Sequence, residues 1–275
     1  MTARVVITTL KYLSLVVAAF VTLLPLGAVL IASLKSESEF STTGPFELPR
    51  NIFNLDNFVT AVVKGNMIQG LINTSFILVV SLAGTILIGT MTAYAIDRFQ
   101  FRFKSIVLGL FLVATLVPSV TTQVATFQIV NNLGLFNTIW APVVLFLGTD
   151  IVSIYIFLQF MQAIPKSLDE AAMLDGANRF TIYWRVILPL LKPAIATVVI
   201  IRGIAIYNEF YIPFLYMPSR ELGTIATSLF RFKGPFGAQW EVIAAGTMVV
   251  IIPTLILFLF LQRYIYNGFT SGANK

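Results

Sequence analysis

Long apolar runs alternate with short polar stretches along this chain. A helix needs about 20 predominantly apolar residues to cross a bilayer. The runs predict such helices over 12–34, 70–96, 105–124, 140–162, 193–217 and 240–264. Pro25 loosens or kinks the first, Pro118 lies near the far end of the third, and Trp140 is an interface anchor for the fourth. In the second, Ser81, Thr85, Gly89 and Ala93 recur every four residues, a small stripe suited to close helix packing in lipid. Residues 125–139 are polar but uncharged, which fits an interfacial helix or a re-entrant turn. The basic, apolar start also allows a cleaved signal peptide, but the run is too long for one and no A-x-A site follows.

One polar island, 163–192, is charged beyond what a bilayer interior accepts, with Lys166, Asp169, Glu170, Asp175, Arg179 and Arg185 close together. Ser167 and Glu170 have capping-box spacing, and Asp175-Gly176 reads as a stop, so a helix of about two turns, roughly 12 Å, is expected between them. A second helix is expected from Asn178 toward Pro189. Ala171 and Ala172 leave one face without bulk, open to close approach by another protein, and Glu170 offers a charge to a basic partner.

Composition confirms the class. Of 275 residues, 57% are hydrophobic and 11% charged, against about 25% charged in soluble domains. The fold class expected is therefore all-α integral membrane, six transmembrane helices in a single domain over 1–275. Cys and His are both absent, which excludes disulfides, Cys/His metal sites and Cys or Ser-His nucleophiles. No Gly-Lys dipeptide exists, so there is no P-loop, and no catalytic constellation is found. The chain reads as a transport subunit, not an enzyme. Lys and Arg number eleven on the N-terminal side and in alternate loops, against six on the opposite side. The positive-inside rule then puts both termini and the 163–192 loop in the cytoplasm, so the net charge of +6 needs no nucleic-acid partner.

Three ionisable residues are expected at membrane depth: Asp150, Arg202 and Glu209. Such charges mark a pathway unless they only pair, and either an Asp150–Arg202 or an Arg202–Glu209 bridge fits the spacing. Tyr207, Phe210, Tyr211 and Phe214 form an aromatic stripe beside Asn208 and Glu209, chemistry suited to stacking and hydrogen-bonding a sugar. Asp150, Arg202, Tyr207, Asn208, Glu209 and Tyr211 are the candidate substrate pathway.

Glu170-Ala-Ala, Gly176, Val186 and Leu188-Pro189 resemble the E-A-A-x3-G-x9-I-x-L-P loop of ABC importer permeases, with Val in place of Ile. Tyr207-Asn-Glu-Phe210 is similar to the Trp-Asn-(Asp/Glu)-Phe segment of carbohydrate-type permeases. The tail from Gly268 to Lys275 resembles the maltose-type ending Gly-Leu-Thr-x-Gly-Ala-x-Lys, with Phe269 and Asn274 as departures, and Asn132 to Thr138 matches the family's outer segment. The resemblance implies the second-permease subunit of a maltose-type, binding-protein-dependent importer with the type I permease fold, in a bacterial or archaeal cytoplasmic membrane. It implies a homologous partner permease, two ATPase subunits that bind ATP and Mg, and an extracytoplasmic solute-binding protein delivering a sugar or oligosaccharide. This chain itself would hold no cofactor.

By the same resemblance the ATPase would dock on Ser167, Asp169, Glu170, Ala171, Ala172, Asp175, Gly176 and Pro189. The tail, through Gly268, Thr270, Gly272 and Lys275, would reach between the ATPases. Lys233, Gly234, Pro235 and Phe236 would meet the binding protein. Two alternatives stay open: an ion-coupled secondary transporter using Asp150 and Glu209, and an ABC permease for a polar non-sugar such as a glycerol phosphate derivative, with Arg202 meeting the anion.

Overall fold

The computed structural model describes residues 2–147, 150–234 and 237–273, as backbone alone for 2–4, 119, 257–258 and 260–273. In chain order the helices are α1 (Thr2–Ser33), α2 (Glu37–Thr42), α3 (Asp56–Lys64), α4 (Met67–Arg98), α5 (Lys104–Leu116), α6 (Ser119–Asn132), α7 (Trp140–Leu147), α8 (Ile151–Gln162) and α9 (Ser167–Leu174). After α10 (Arg179–Ile182) come a π-turn at Tyr183–Ile187, α11 (Leu188–Leu190), α12 (Lys192–Tyr207) and α13 (Tyr211–Tyr216). The chain ends with a 3-10 turn at Arg220–Leu222, α14 (Ile225–Phe230), a two-stranded hairpin of β1 (Lys233–Gly234) and β2 (Gly237–Ala238), and α15 (Trp240–Ala273). Two helices, α1 from Val5 and α4, are long and apolar enough to cross a membrane singly. Three bent pairs qualify when each pair is taken as one span, and the described apolar part of α15 runs Trp240–Ile256.

Three expected spans are broken, the third and the fifth by identifiable chemistry. The third, expected over 105–124, stops at Leu116, and α6 leaves at 103°. Pro118 pushes Val117 into extended backbone (φ −76°, ψ 115°), so the polar segment after it is a helix in its own right. The fourth, expected unbroken over 140–162, bends by 44° between α7 and α8. The fifth, expected over 193–217, ends at Tyr207. There Asn208 Nδ2 turns back to the Ile204 carbonyl at 2.9 Å, and Pro213 has no N–H to offer the Glu209 carbonyl. The expected continuous aromatic stripe is therefore split between α12 and α13. Another bend, of 69°, precedes α12 at Leu191, where Pro193 begins the new helix. The π-turn has a related cause. Pro189 cannot donate to Arg185, and the helix widens just before it so that Leu188 N–H reaches the Tyr183 carbonyl. After 264 the backbone stays helical through Gly268, Thr270 and Gly272 to Ala273, where a tail was expected, since no proline follows Pro253. Lys275, Pro235 and Phe236 lie outside the described residues.

The chain divides into two compact units. The first comprises 1–68 and 227–256. Its α1 is exposed along most of its length. Asn57 Nδ2 closes the end of α1 by donating to the Ser33 and Lys35 carbonyls at 2.9 and 2.7 Å. Lys35 is buried and donates to Thr43 Oγ1 at 2.8 Å and the Gly44 carbonyl at 2.7 Å. Ser36 and Glu39 form a reciprocal capping box on α2. Gly246 is required for packing: a Cβ there would stand 2.3 Å from Leu229 Cδ2 and 3.5 Å from Ala61 Cβ.

The second unit comprises 69–226 and 257–275. Its main core joins Ala93, Tyr94 and Ile96 of α4 to Phe157, Leu158 and Met161 of α8, Ile182 and Tyr183, and Leu191, Ala194 and Val198. The small stripe on α4 serves this packing. Ser81, Thr85 and Ala93 are buried, and a Cβ on Gly89 would lie 2.9 Å from the buried Phe157 ring. Thr90 Oγ1 and Tyr183 OH share a hydrogen bond of 2.8 Å, tying α4 to the π-turn.

Candidate functional site

The 163–192 loop forms α9 and then the α10–α11 segment, as its signals predict, but its start differs. Ser167 is not the cap. Lys166 is, without a side-chain hydrogen bond, because the Pro165 and Lys166 carbonyls already accept from Leu168, Asp169 and Glu170, and the first turn forms before Ser167 can cap it. The end is closed by a full Schellman motif. Gly176 has φ +83°, its N–H reaches the Met173 carbonyl at 3.0 Å, and Ala177 N–H reaches that of Ala172 at 2.9 Å. Asn178 caps the next helix through Thr181 N–H at 2.9 Å.

Glu170, Ala171, Asp175 and Pro189 are exposed, and Ala172 is half-buried. Leu174 is 90% exposed, and Leu168 in the same helix, Phe180 in α10 and Trp184 in the π-turn are exposed as well. Leu174 lies one turn from the exposed Glu170 and next to Asp175, an apolar side chain edged by carboxylates that sequence reasoning missed because a leucine in a polar loop looks like a buried anchor. Asp169 is the correction. It was expected on the docking face, yet it is buried: its Oδ2 lies 3.1 Å from Arg98 Nε, with both side chains almost fully enclosed. Arg98 also donates to Asp97 and, from Nη2, to the Ile164 carbonyl at 3.0 Å. Burying the carboxylate is tolerable only beside that cation, so the helix turns Asp169 inward. In the sequence Arg98 is merely one of a basic loop, and nothing there identifies its partner.

The expected intramembrane charges separate into two places. Asp150 Oδ2 meets Arg202 Nε at 2.8 Å, which is the first of the two bridges considered. Asp150 also caps α8 by accepting from Ser153 N–H at 3.3 Å and from its hydroxyl. Glu209 does not share a helix with Arg202. Its Oε1 accepts from Tyr211 and Ile212 N–H at 2.8 and 3.1 Å, capping α13. Glu209 and Tyr211 line a cavity of about 700 Å³ together with Thr122, Gln123, Thr126 and Tyr216. Gln123 Nε2 donates to the Tyr211 hydroxyl. The cavity exists because α6 and α13 each start at a helix break, which opens room and frees polar groups. Asp150, Arg202, Tyr207 and Asn208 do not line it. The residues missed in the sequence, Thr122, Gln123 and Thr126, sit in the stretch that Pro118 detaches from the third span. Lys233 and Gly234 are exposed in β1, paired with Ala238 and Gly237.

The fold is that of a solved bacterial ABC transporter involved in alginate import, with TM-score 0.82, 19% identity and coverage of 96% of this chain and 98% of the other. A probable starch degradation products transport system permease protein of Thermoanaerobacterium thermosulfurigenes is 31% identical over 91% of each chain. The melibiose/raffinose/stachyose import permease protein of Bacillus subtilis is 28% identical over 92% of this chain and 91% of its own. Residues 85–270 match the binding-protein-dependent transport system inner membrane components, and with more than half of its length inside that match the chain belongs to this family of membrane permeases.

Proposed function

We propose that this chain is the second-permease subunit of an ATP-driven importer for a sugar or oligosaccharide, pairing with a homologous permease, two ATPases and an extracytoplasmic binding protein. The observation that carries the reading is the exposed face of α9, where Glu170 and Ala171 sit beside an almost bare Leu174 on a helix held from behind by the Arg98–Asp169 pair. An apolar surface rimmed by carboxylates suits insertion into a cleft of a basic partner. The α9 side and both termini are cytoplasmic in this reading, ATP and Mg reside on the ATPases, and Gly268, Thr270, Gly272 and Lys275 approach them. Lys233, Gly234, Pro235 and Phe236 face the binding protein.

The cavity at Gln123, Glu209 and Tyr211 supports a hydroxyl-rich, uncharged solute, because its described lining offers amide, hydroxyl, carboxylate and aromatic groups and no cation. Arg202, already paired with Asp150, is poorly placed for the anion of a glycerol phosphate derivative. The named relatives, for starch products and for melibiose, raffinose and stachyose, support the same class. The Asp150–Arg202 pair borders the path as a fixed element, and rigid-body rotation of two permeases would expose the cavity to either side in turn.

Glu170→Lys tests docking. The ATPase should be lost on co-purification of the detergent-solubilised complex, and full retention would remove the basis of the reading. Uptake that collapses with a protonophore at constant ATP would instead favour an ion-coupled carrier.

A further inference from the structure

We infer that α4 is a connecting rod, fastened at one end to the docking segment and at the other to the segment 219–225. At its lower end Arg98, its last residue, holds Asp169 by charge and the Ile164 carbonyl by a 3.0 Å hydrogen bond. One turn earlier Tyr94 OH donates to the Arg179 carbonyl at 3.3 Å, and a turn before that Thr90 meets Tyr183 OH. Three successive turns of one helix thus grip α9 and the segment after it. At the far end Asn73 Nδ2 donates to the Glu221 carbonyl at 2.8 Å and the Gly223 carbonyl at 3.0 Å, and Thr74 Oγ1 accepts from Ile225 N–H at 2.9 Å. Asn73 and Thr74 are both buried. From Asn73 to Arg98 the helix spans roughly 38 Å, more than the hydrocarbon thickness of a bilayer, so one uninterrupted, proline-free element joins segments that far apart.

The lower joint is built to move without breaking. Arg98 Nε and both Asp169 oxygens make no hydrogen bond of good geometry among the described residues, although the charges are 3.1 Å apart. A contact held by Coulomb attraction rather than by direction lets α9 roll while neither buried charge loses its partner. The arrangement passes a displacement in either direction. A push on 219–225, the segment leading in sequence into the β1–β2 hairpin, moves Arg98 and hence α9, and movement of α9 returns along the same path. Coupling carried by a rigid element between two fastened ends needs no rearrangement of the core between them. The inference rests on the proposed reading of α9 as the docking helix.

The test uses the complete transporter in lipid nanodiscs, with ATP hydrolysis measured with and without solute-loaded binding protein. Two mild variants loosen the two ends: Asp169→Asn, an isosteric change that removes the buried charge while Arg98 keeps Asp97 as its partner, and Thr74→Val. Both should retain the ATPase subunits while the ratio of stimulated to basal hydrolysis falls about fivefold or more. If that variant does not assemble, Tyr94→Phe serves, because it removes the contact to the Arg179 carbonyl one turn earlier without touching a buried charge, and the same fall is expected. A stimulation ratio unchanged in an assembled variant of either end overturns the rod. Glu170→Lys, run alongside, separates the two ideas: retained ATPase there refutes docking at α9, whereas lost ATPase with normal ratios in the end variants refutes the rod alone.

Discussion

Arg202 Nε lies 2.8 Å from Asp150 Oδ2 at the point where the fourth span is interrupted and Asp150 begins α8. Arg202 Nη2 also reaches toward the Phe146 carbonyl, at 3.5 Å, on the other side of the interruption. One guanidinium therefore bridges both halves of a broken helix from α12.

Removing only the cation should leave Asp150 unpaired in a dry site. Arg202→Met is expected to lower stability by roughly 3 kcal/mol, and the double variant R202M/D150N, which keeps the α8 cap without the charge, to regain most of that. Thermal unfolding of the purified chain in detergent checks both. A double variant as unstable as the single would show that the pair itself is not what matters.

Gly176 ends α9 at φ +83°, where a side chain is strained whatever the space around it. Gly176→Ala should cost about 1–2 kcal/mol locally and loosen the Schellman closure. Amide hydrogen exchange at Gly176 and Ala177 would then quicken, with exchange in α4 unchanged. Equal protection in the variant would mean that another residue terminates the helix.

Gln123 and Tyr211 meet in the cavity wall and come from two different broken spans. Gln123→Leu and Tyr211→Phe each remove hydrogen-bonding capacity worth about 1 kcal/mol, so the concentration for half-maximal uptake should rise about fivefold. Uptake into proteoliposomes, with the ATPase rate followed in parallel, measures this. Unaltered uptake by both variants would move the solute contact to the partner permease.

Glu39 titrates lower than its ordinary 4.5, chiefly because the Ser36 backbone N–H and then that of Arg50 donate to its carboxylate. A depressed carboxylate stabilises the fold above its unfolded value and loses that contribution as pH falls through the folded one. The capping box of α2 should therefore stay closed at neutral pH and open below about pH 4.5, within a window set by the two values. Opening-corrected hydrogen exchange at Thr43, whose N–H bonds to the Glu39 carbonyl, would report it. Glu39→Gln should abolish the pH dependence there.

What the sequence determined by itself was everything that depends on near neighbours along the chain. The apolar runs declared a membrane protein, Asp175-Gly176 declared a helix end, and Glu170-Ala-Ala with Gly176 and Leu188-Pro189 declared the family's loop that carries α9. Local chemistry suffices there, because a capping glycine or a run of 20 apolar residues acts within a few turns. Tertiary structure decided the rest. Asp169 and Glu170 are adjacent and equally charged, yet one is buried on Arg98 and the other exposed, and that depends on a helix end 71 positions earlier. Likewise Arg202 could have met Glu209 seven residues on, but the break at Asn208 and the proximity of α8 gave it Asp150. Pairing of buried charge is settled by whichever opposite charge folding brings within about 4 Å, and separation along the chain does not encode that distance.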